Sequence, residues 1–285
     1  MSMQELVERY RRDGFIAVEG VYPLEQMEEL RRTTDAFVEQ SREVTEHTDM
    51  YDLEPGHTAE HPRLRRLKNP VRFHEAYDRC MREPKMLDIV AQLIAPGIRV
   101  HSTKLNLKSG EFGSAVEWHQ DIAFYPHTNE KVLAVGVALD DMSAENGALM
   151  AIPGSHKGPL YDHHQNGHFV GAINDPAFSE EGGVPLEVKA GGITIHHARM
   201  IHGSCPNHSD RPRRLLLLEF RAVDAWPLLG VKDWEEFNAL IVRGEPTQEP
   251  LVEPVPVRIP LPPTPTVGSI YESQSYFTDA ALARR

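Results

Sequence analysis

The sequence predicts a mainly β protein with flanking α-helices, an antiparallel sandwich or barrel preceded by a helical flank. Two observations carry this. Up to about residue 97 the apolar residues recur at helical spacing. From residue 98 the period changes from 3.6 to 2, and strand-like segments follow one another at short intervals. Helices first and strands afterwards describe a β core with a helical layer, not a chain of alternating βαβ units. At 285 residues, 40% hydrophobic and 25% charged, the chain is long enough to bury one sizeable core.

Residues 3–13 read as a short helix with Leu6, Val7 and Tyr10 on one side and Gly14 closing it. FIAVEG is a brief strand. Pro23 then opens a second helix carrying Leu24, Met27, Leu30, Phe37 and Val38. Residues 42–66 are polar, with Pro55, Gly56, His57, His61 and Pro62 close together, and read as a long loop. EPKMLDIVAQLIAPG is a third helix, ended by Pro96–Gly97. IRVHSTKLNLK, SAVEWHQD, KVLAVGVALDD, GALMAIPG, PLEVKAGGITIHH and RRLLLLEFRA then read as strands, divided by turn signals such as Asn146–Gly147 and Gly191–Gly192. VKDWEEFNALIV is a late helix. Eight prolines in 245–268 forbid helix and central strand there, so this segment should wrap the surface as an extended arm. No internal repeat is visible. The expectation is a single domain over 1–285: helical flank about 1–97, core about 98–225, and a C-terminal helix with the Pro-rich arm over 226–285.

A formal net charge of −12 argues against a nucleic-acid or anionic-membrane partner. The two cysteines, Cys80 and Cys205, form neither a disulfide framework nor a zinc-knuckle spacing, so a reducing compartment is expected. MSMQELVERYRRDG has no apolar core of a secretory signal, and no apolar run approaches the ~20 residues of a membrane span. These features lead to the expectation of a soluble, cytoplasmic protein whose partner is a small molecule.

The chemistry concentrates in VEWHQDIAFYPH, residues 116–127. On a strand, residues i and i+2 share a face, so His119 and Asp121 converge while Trp118 and Gln120 face the other way. An imidazole and a carboxylate so placed are two thirds of a divalent-metal site. Candidates for the third ligand are His196, His197, His202 and His208. His202 is the best placed: it ends an apolar stretch and precedes Gly203–Ser204 and the polar turn CPNHSDRP, with Arg213 opening the next strand. A cation there would face the far end of a metal-bound dicarboxylate. HxD…H with open metal positions is the facial triad of non-haem Fe(II) oxygenases.

From about residue 4 to residue 222 the chain resembles the phytanoyl-CoA dioxygenase family of Fe(II)/2-oxoglutarate-dependent oxygenases. The likeness rests on RRDGFIAVEGVYPLEQMEELR, then WHQD with FYPH after it, ENGALMAIPGSHKG, and HGSCPNHSDRPRR, where a histidine stands eleven residues before an arginine. The resemblance implies a double-stranded β-helix (jelly-roll, cupin-like) core with N-terminal helices. It implies Fe(II) held by His119, Asp121 and His202, and 2-oxoglutarate whose C5 carboxylate meets Arg213. Lys104, Ser204, Gln120 and Val137 would lie against the co-substrate, with Lys68 as a further contact. O2 would be consumed and succinate and CO2 released. Because related halogenating enzymes carry a small residue where Asp121 stands, the expected outcome is hydroxylation of a small molecule. The alternative is a catalytically silent relative that binds a metal or 2-oxoacid as a sensor or structural module; a cupin-like enzyme without 2-oxoglutarate is a third reading. Neither a ligand nor Arg213 is lost, which favours the oxygenase. Substrate identity and oligomeric state are not specified by the sequence.

For the remaining residues the expectations are plainer. His196 and His197 should be core residues or neighbours of the ligands. His163, His164 and His168 should belong to a loop over the substrate, and His156–Lys157 to a solvated loop end. Trp118 should pack in the core. Phe124 and Tyr125 should lie near the barrel mouth. Arg199 and Arg211 could meet an anionic substrate or be solvated. Arg214 should face away from Arg213. The arm and SIYESQSYF should pack on the barrel as a lid or an oligomer contact.

Overall fold

The computed structural model describes residues 2–110, 113–266 and 269–284. Helix α1 (Met3–Asp13) starts at Ser2, whose hydroxyl accepts the Glu5 N–H while the Glu5 carboxylate accepts the Ser2 N–H. It stops at Gly14, where φ is +82° and a Cβ would stand 2.3 Å from His156 Nδ1. Strand β1 (Phe15–Val18) and α2 (Leu24–Gln40) follow as expected. The segment expected as a loop instead holds β2 (Tyr51–Leu53) and leads into β3 (Leu64–Lys68). Tyr51, Leu53, Leu64 and Leu67 are buried beneath this hairpin, and Asp52 pairs with Arg66 and Lys68 across it. Charges that satisfy one another within a strand pair had made a half-buried hairpin look like a polar loop. Helix α3 (Glu75–Met81) was not anticipated, and α4 (Pro84–Leu93) was.

Then come β4 (Ile98–Lys108), β5 (Val116–Gln120), β6 (Val132–Ala138), β7 (Leu149–Ala151), the hairpin β8 (His164–Gln165) and β9 (His168–Phe169), and β10 (Val184–Pro185). Strands β11 (Ile193–His197), β12 (Ile201–Ser204) and β13 (Arg213–Ala222) complete the core. The late helix is shortened to α5 (Trp234–Ala239), its last residues forming β14 (Ile241–Arg243), and α6 (Ile270–Gln274) lies near the end. The larger sheet runs β1-β11-β6-β13-β4-β3-β2, with β14 added to β4; the smaller runs β10-β7-β12-β5. Every pairing in both is antiparallel. The N-terminal flank therefore contributes three strands of the larger sheet, and residue 97 marks no structural boundary.

Parity assigns the two faces of β13. Leu216, Leu218 and Phe220 are buried in one cluster with Leu6, Met27 and Met86 of the helices, each worth about 1.5–3 kcal/mol on removal from water. Arg213, Leu215, Leu217 and Glu219 face the smaller sheet, where a cavity opens. Arg214 points outward to Asp140 and Asp35, as the alternation required. The Pro-rich arm is extended and tied to the core by the Leu251 N–H on Asp224 O and the Glu253 N–H on Thr128 O; the Phe169 N–H in turn donates to Pro262 O. His156 departs from its expectation: it is buried against Gly14 and His197, while Lys157 beside it is exposed. No helix among the described residues is long and apolar enough to cross a membrane.

Candidate metal centre and co-substrate pocket

Strands β5 and β12 are neighbours in the smaller sheet, and their register sets His202 directly opposite His119, ring centroids 4.0 Å apart. His202 is thus the second residue of a four-residue strand, not the last of a longer one. Asp121 is the first residue beyond β5, and its Oδ1 lies 3.7 Å from Nε2 of both histidines. Each imidazole donates Nδ1–H to a carbonyl two residues back: His119 to Glu117 at 2.8 Å, His202 to Met200 at 3.0 Å. A carbonyl only accepts, so Nδ1 holds the proton and the Nε2 lone pair faces the carboxylate. Burial pushes both imidazoles toward the neutral form; for His119 the charge of Asp121 opposes it, and for His202 the neighbouring His119 and His196 reinforce it. Burial works against ionisation of Asp121, but the hydrogen bond from His196 and the charge of Lys104 oppose it, and the carboxyl is held below its usual range. The set is two neutral imidazoles and a carboxylate, the donors a divalent ion takes. His196 is not a fourth ligand; its Nε2 lies 3.3 Å from Asp121 Oδ2 and orients that carboxylate.

A second group of donors, His47, Asp52 and Glu272, lies elsewhere. There His47 Nδ1 accepts the Leu53 N–H, so Nε2 carries the proton toward Glu272, and Asp52 is taken by Arg66 and Lys68. Those atoms are engaged in holding α6 and β2.

On the other side of the triad a cavity of about 50 Å³ leads past Leu215 to Arg213. Arg213 is 2% exposed; Nη2 donates to the Gly147 carbonyl, while Nε and Nη1 are buried with no acceptor. Directly opposite on β4 stands Lys108, 1% exposed, its Nζ donating to Ser204 Oγ at 2.9 Å and to the Cys205 carbonyl. Burial pushes Arg213 down to about 10; burial and then Arg213 push Lys108 far down. No carboxylate among the described residues lies within ion-pair distance of either. Two buried cations facing each other across a strand pair are unfavourable unless an anion joins them. A carboxylate between them would meet that requirement. Lys108 escaped the sequence reading, although it lies four residues beyond Lys104 on the same strand face.

The remaining expected contacts divide. Ser204 lies at the arginine end of the cavity. Lys104 lines the cavity nearer Asp121, its ammonium bonded to Glu219 at 2.7 Å. Gln120 does not reach the cavity: its amide donates to the Pro159 and Arg199 carbonyls and accepts the Tyr161 N–H, on the far side of β5. Val137 faces the helices, buried in the main core between Ile193 and Leu216. In both cases strand alternation turns the side chain away, which for Gln120 was already legible from its place between His119 and Asp121.

A wider cavity of about 290 Å³ touches Asp121 from the opposite side, lined by Lys68, Lys104, Glu219, Phe124, Tyr125 and Ile270. Phe124 and Tyr125 thus stand at its wall, and Lys68 lines this cavity too, 3.0 Å from Asp52. His163 is structural, its Nε2 accepting the Gln120 N–H. His164 pairs with Asp162, and His168 Nδ1 bonds the Pro263 carbonyl. Trp118 is core and donates to Glu180. Arg199 pairs with Glu130 and Arg211 with Glu145, both away from the metal-side cavities.

Residues 10–215 match the family described as phytanoyl-CoA dioxygenase (PhyH). The chain is 36% identical over 275 residues to a Stutzerimonas stutzeri protein named "Probable alpha-ketoglutarate-dependent hypophosphite dioxygenase", covering 94% of this chain and 96% of that one. It is 28% identical over 247 residues to the L-proline trans-4-hydroxylase of Streptomyces griseoviridis, covering 79% and 88%. Among solved structures, the apo form of the non-heme monooxygenase ThoJ is similar with a TM-score of 0.67 at 25% identity, covering 90% of this chain and 88% of that one. The chain belongs to the phytanoyl-CoA dioxygenase family, and the metal and the 2-oxoacid for which its pocket is furnished are those of an Fe(II)- and 2-oxoglutarate-dependent dioxygenase.

Proposed function

We propose that the protein is a cytoplasmic enzyme that hydroxylates a C–H bond of a small organic anion, with His119, Asp121 and His202 as iron ligands. Arg213, Lys108 and Ser204 hold the far carboxylate of 2-oxoglutarate. The two sheets form the halves of a double-stranded β-helix, and residues 1–285 act as one domain around it. The observation that carries the reading is buried Arg213 at the end of a cavity that begins at the His–Asp–His cluster, with Lys108 opposite it on β4 and bonded to Ser204 of the cavity wall.

Bound together, iron, 2-oxoglutarate and O2 supply an oxidant strong enough for an unactivated carbon, with succinate and CO2 as by-products. The chain does the rest. Carbonyls of Glu117 and Met200 fix the two imidazoles, and His196 holds Asp121. Asp121 fills the position that a halide would need, which favours hydroxylation over halogenation. Phe124, Tyr125 and Ile270 give the substrate chamber an apolar wall that limits water.

Arg66 and Lys68 share Asp52, which leaves an excess positive charge beside that chamber and favours an anionic substrate. Hypophosphite is the first compound to try, given the relative that bears its name. The chamber is nonetheless larger than three heavy atoms require, since one water occupies about 30 Å³ of liquid. An organic acid fits the volume better.

The test is an anaerobic titration with Fe(II) and 2-oxoglutarate, following the visible charge-transfer band of the chelate. The wild type should give the band. Arg213→Ala should weaken 2-oxoglutarate binding by at least about thirtyfold, the usual cost of removing one partner of a buried charged contact. His202→Ala should abolish the band. Fe(II) binding without any band would overturn the reading.

A further inference from the structure

The inner face of β13 continues past Glu219 to Arg221, and the register places Arg221 directly opposite Arg99 of β4. Arg99 is 0% and Arg221 4% exposed. Neither has a carboxylate within ion-pair distance among the described residues. Arg99 donates to the Val223 carbonyl and to Asn238 Oδ1; Arg221 donates Nη1 to His127 Nε2 at 2.7 Å. Both Nε atoms are buried without an acceptor. Phe237 lies between them, its ring centroid 3.7 Å from Arg99 Cζ and 5.0 Å from Arg221 Cζ. Such contacts return less than the burial of each ion costs. The cluster is therefore short of one negative charge.

Arg221 lines a cavity of about 360 Å³. This cavity shares Asn69, His101, Ser102, Thr103 and Tyr125 with the chamber above Asp121, so the two are adjoining compartments along one wall. Thr103, 4% exposed, has a hydroxyl with no partner at that shared wall. The barrel interior thus carries facing cation pairs at two places along β4 and β13. One, Lys108 with Arg213, answers to the co-substrate. The other lies beyond the reach of the co-substrate.

We propose that Arg221, backed by Arg99, binds an anionic group, a carboxylate or a tetrahedral oxyanion, at the end of the substrate remote from the carbon that is oxidised. This rests on the oxygenase reading, because it takes the chamber above Asp121 as the place of reaction. It narrows the substrate to an elongated organic anion with its charge on the far side of Thr103. An inorganic anion small enough to sit beside the iron would leave the arginine pair uncompensated.

The experiment uses the full chain loaded anaerobically with Fe(II) and saturating 2-oxoglutarate, so that the Arg213 end is filled. Sodium sulfate and sodium acetate are titrated separately at constant ionic strength in chloride, following the fluorescence of Trp226 and Trp234, which pack on Phe237. A saturable change is expected in the wild type, weakened at least tenfold in Arg221→Gln and less in Arg221→Lys, which keeps the charge. The tighter of the two probes names the anion class. The charge-transfer band, recorded in the same samples, reports the oxygenase reading independently. A band without any saturable anion response, or an equal response in Arg221→Gln, overturns the proposal while leaving that reading intact. Should Arg221→Gln fail to fold, Arg221→Lys carries the comparison, and an unchanged affinity and amplitude there counts against the proposal.

Discussion

Lys108 is the residue whose ionisation most depends on what fills the pocket. Before 2-oxoglutarate binds, its neighbours are a hydroxyl, a carbonyl and the Arg213 guanidinium, and burial with that charge holds its pKa far below the ordinary lysine value. A carboxylate bridging it to Arg213 reverses the second effect and raises the pKa. Between the lower and the higher value binding takes up a proton, so affinity for 2-oxoglutarate should fall as pH rises through that window. Calorimetric titration in two buffers of different ionisation enthalpy, at mildly alkaline pH, should show net uptake in the wild type and none in Lys108→Met. Equal observed heats in the two buffers, which mean no uptake, would remove Lys108 from the co-substrate site. The folded protein without co-substrate has the opposite sign. There the unfolded chain binds more protons between the depressed pKa and the usual ~10.4, so this residue makes stability rise with pH across that interval.

One residue of a ligand-bearing strand anchors the C-terminal elements, beside the contacts that His47 makes with Glu272 and Gln165 with Thr278 and Asp279. The Glu117 carboxylate accepts the N–H groups of Ala281, Leu282 and Ala283 at 2.8, 2.9 and 2.8 Å. Its own N–H and carbonyl are met by the Gln274 side chain, and that same carbonyl fixes His119. Between these anchors α6 sets Ile270 at the wall of both metal-side cavities. Glu117→Ala strips three N–H groups of a charged acceptor and should cost about 3 kcal/mol. At roughly 2–4 °C per kcal/mol that lowers Tm by about 6–12 °C. Limited proteolysis should then cut the chain after the arm, and removal of residues 246–285 should impair both stability and turnover; a resistant tail with unchanged Tm would show that the contacts are incidental. The arm was legible in its prolines, but its anchor was not, because one glutamate in VEWHQD carries no local sign of what lies 164 residues further on. Elements with a strong local period were read almost to the residue: β4 and β13 end where IRVHSTKLNLK and RRLLLLEFRA end. Where charges neutralise one another across a hairpin, as in β2 and β3, the period was hidden. The triad was legible because its spacing is local and its third member had few rivals. Lys108 and His156 were missed because only the folded neighbourhood shows them to be buried.

At the scale of the whole molecule, the inner face of the larger sheet carries two facing pairs of buried basic residues with no carboxylate in ion-pair distance among the described residues. Lys108 and Arg213 occupy one end of it, Arg99 and Arg221 the other, while the outer face of the same sheet is closed by a conventional apolar core against the helices. A fold can carry such charges because apolar burial outside supplies the stability that the interior gives up, and because an anion bound inside returns it. Stability and ligand binding should then trade off in one variant. Lys108→Met, similar in volume and without charge, should melt at or above the wild-type temperature when no co-substrate is present. It should also lose most of the stabilisation that 2-oxoglutarate gives. For the wild type with Fe(II), co-substrate at a hundred times its Kd should add about 2.7 kcal/mol, visible as a Tm shift of roughly 5–10 °C. Calorimetric scans of both proteins with and without 2-oxoglutarate, in air-free buffer, decide the matter. If Lys108→Met is strongly destabilised without ligand, Lys108 braces the Ser204–Cys205 turn and its charge is incidental. If the variant keeps the full 2-oxoglutarate shift, Arg213 alone meets the carboxylate.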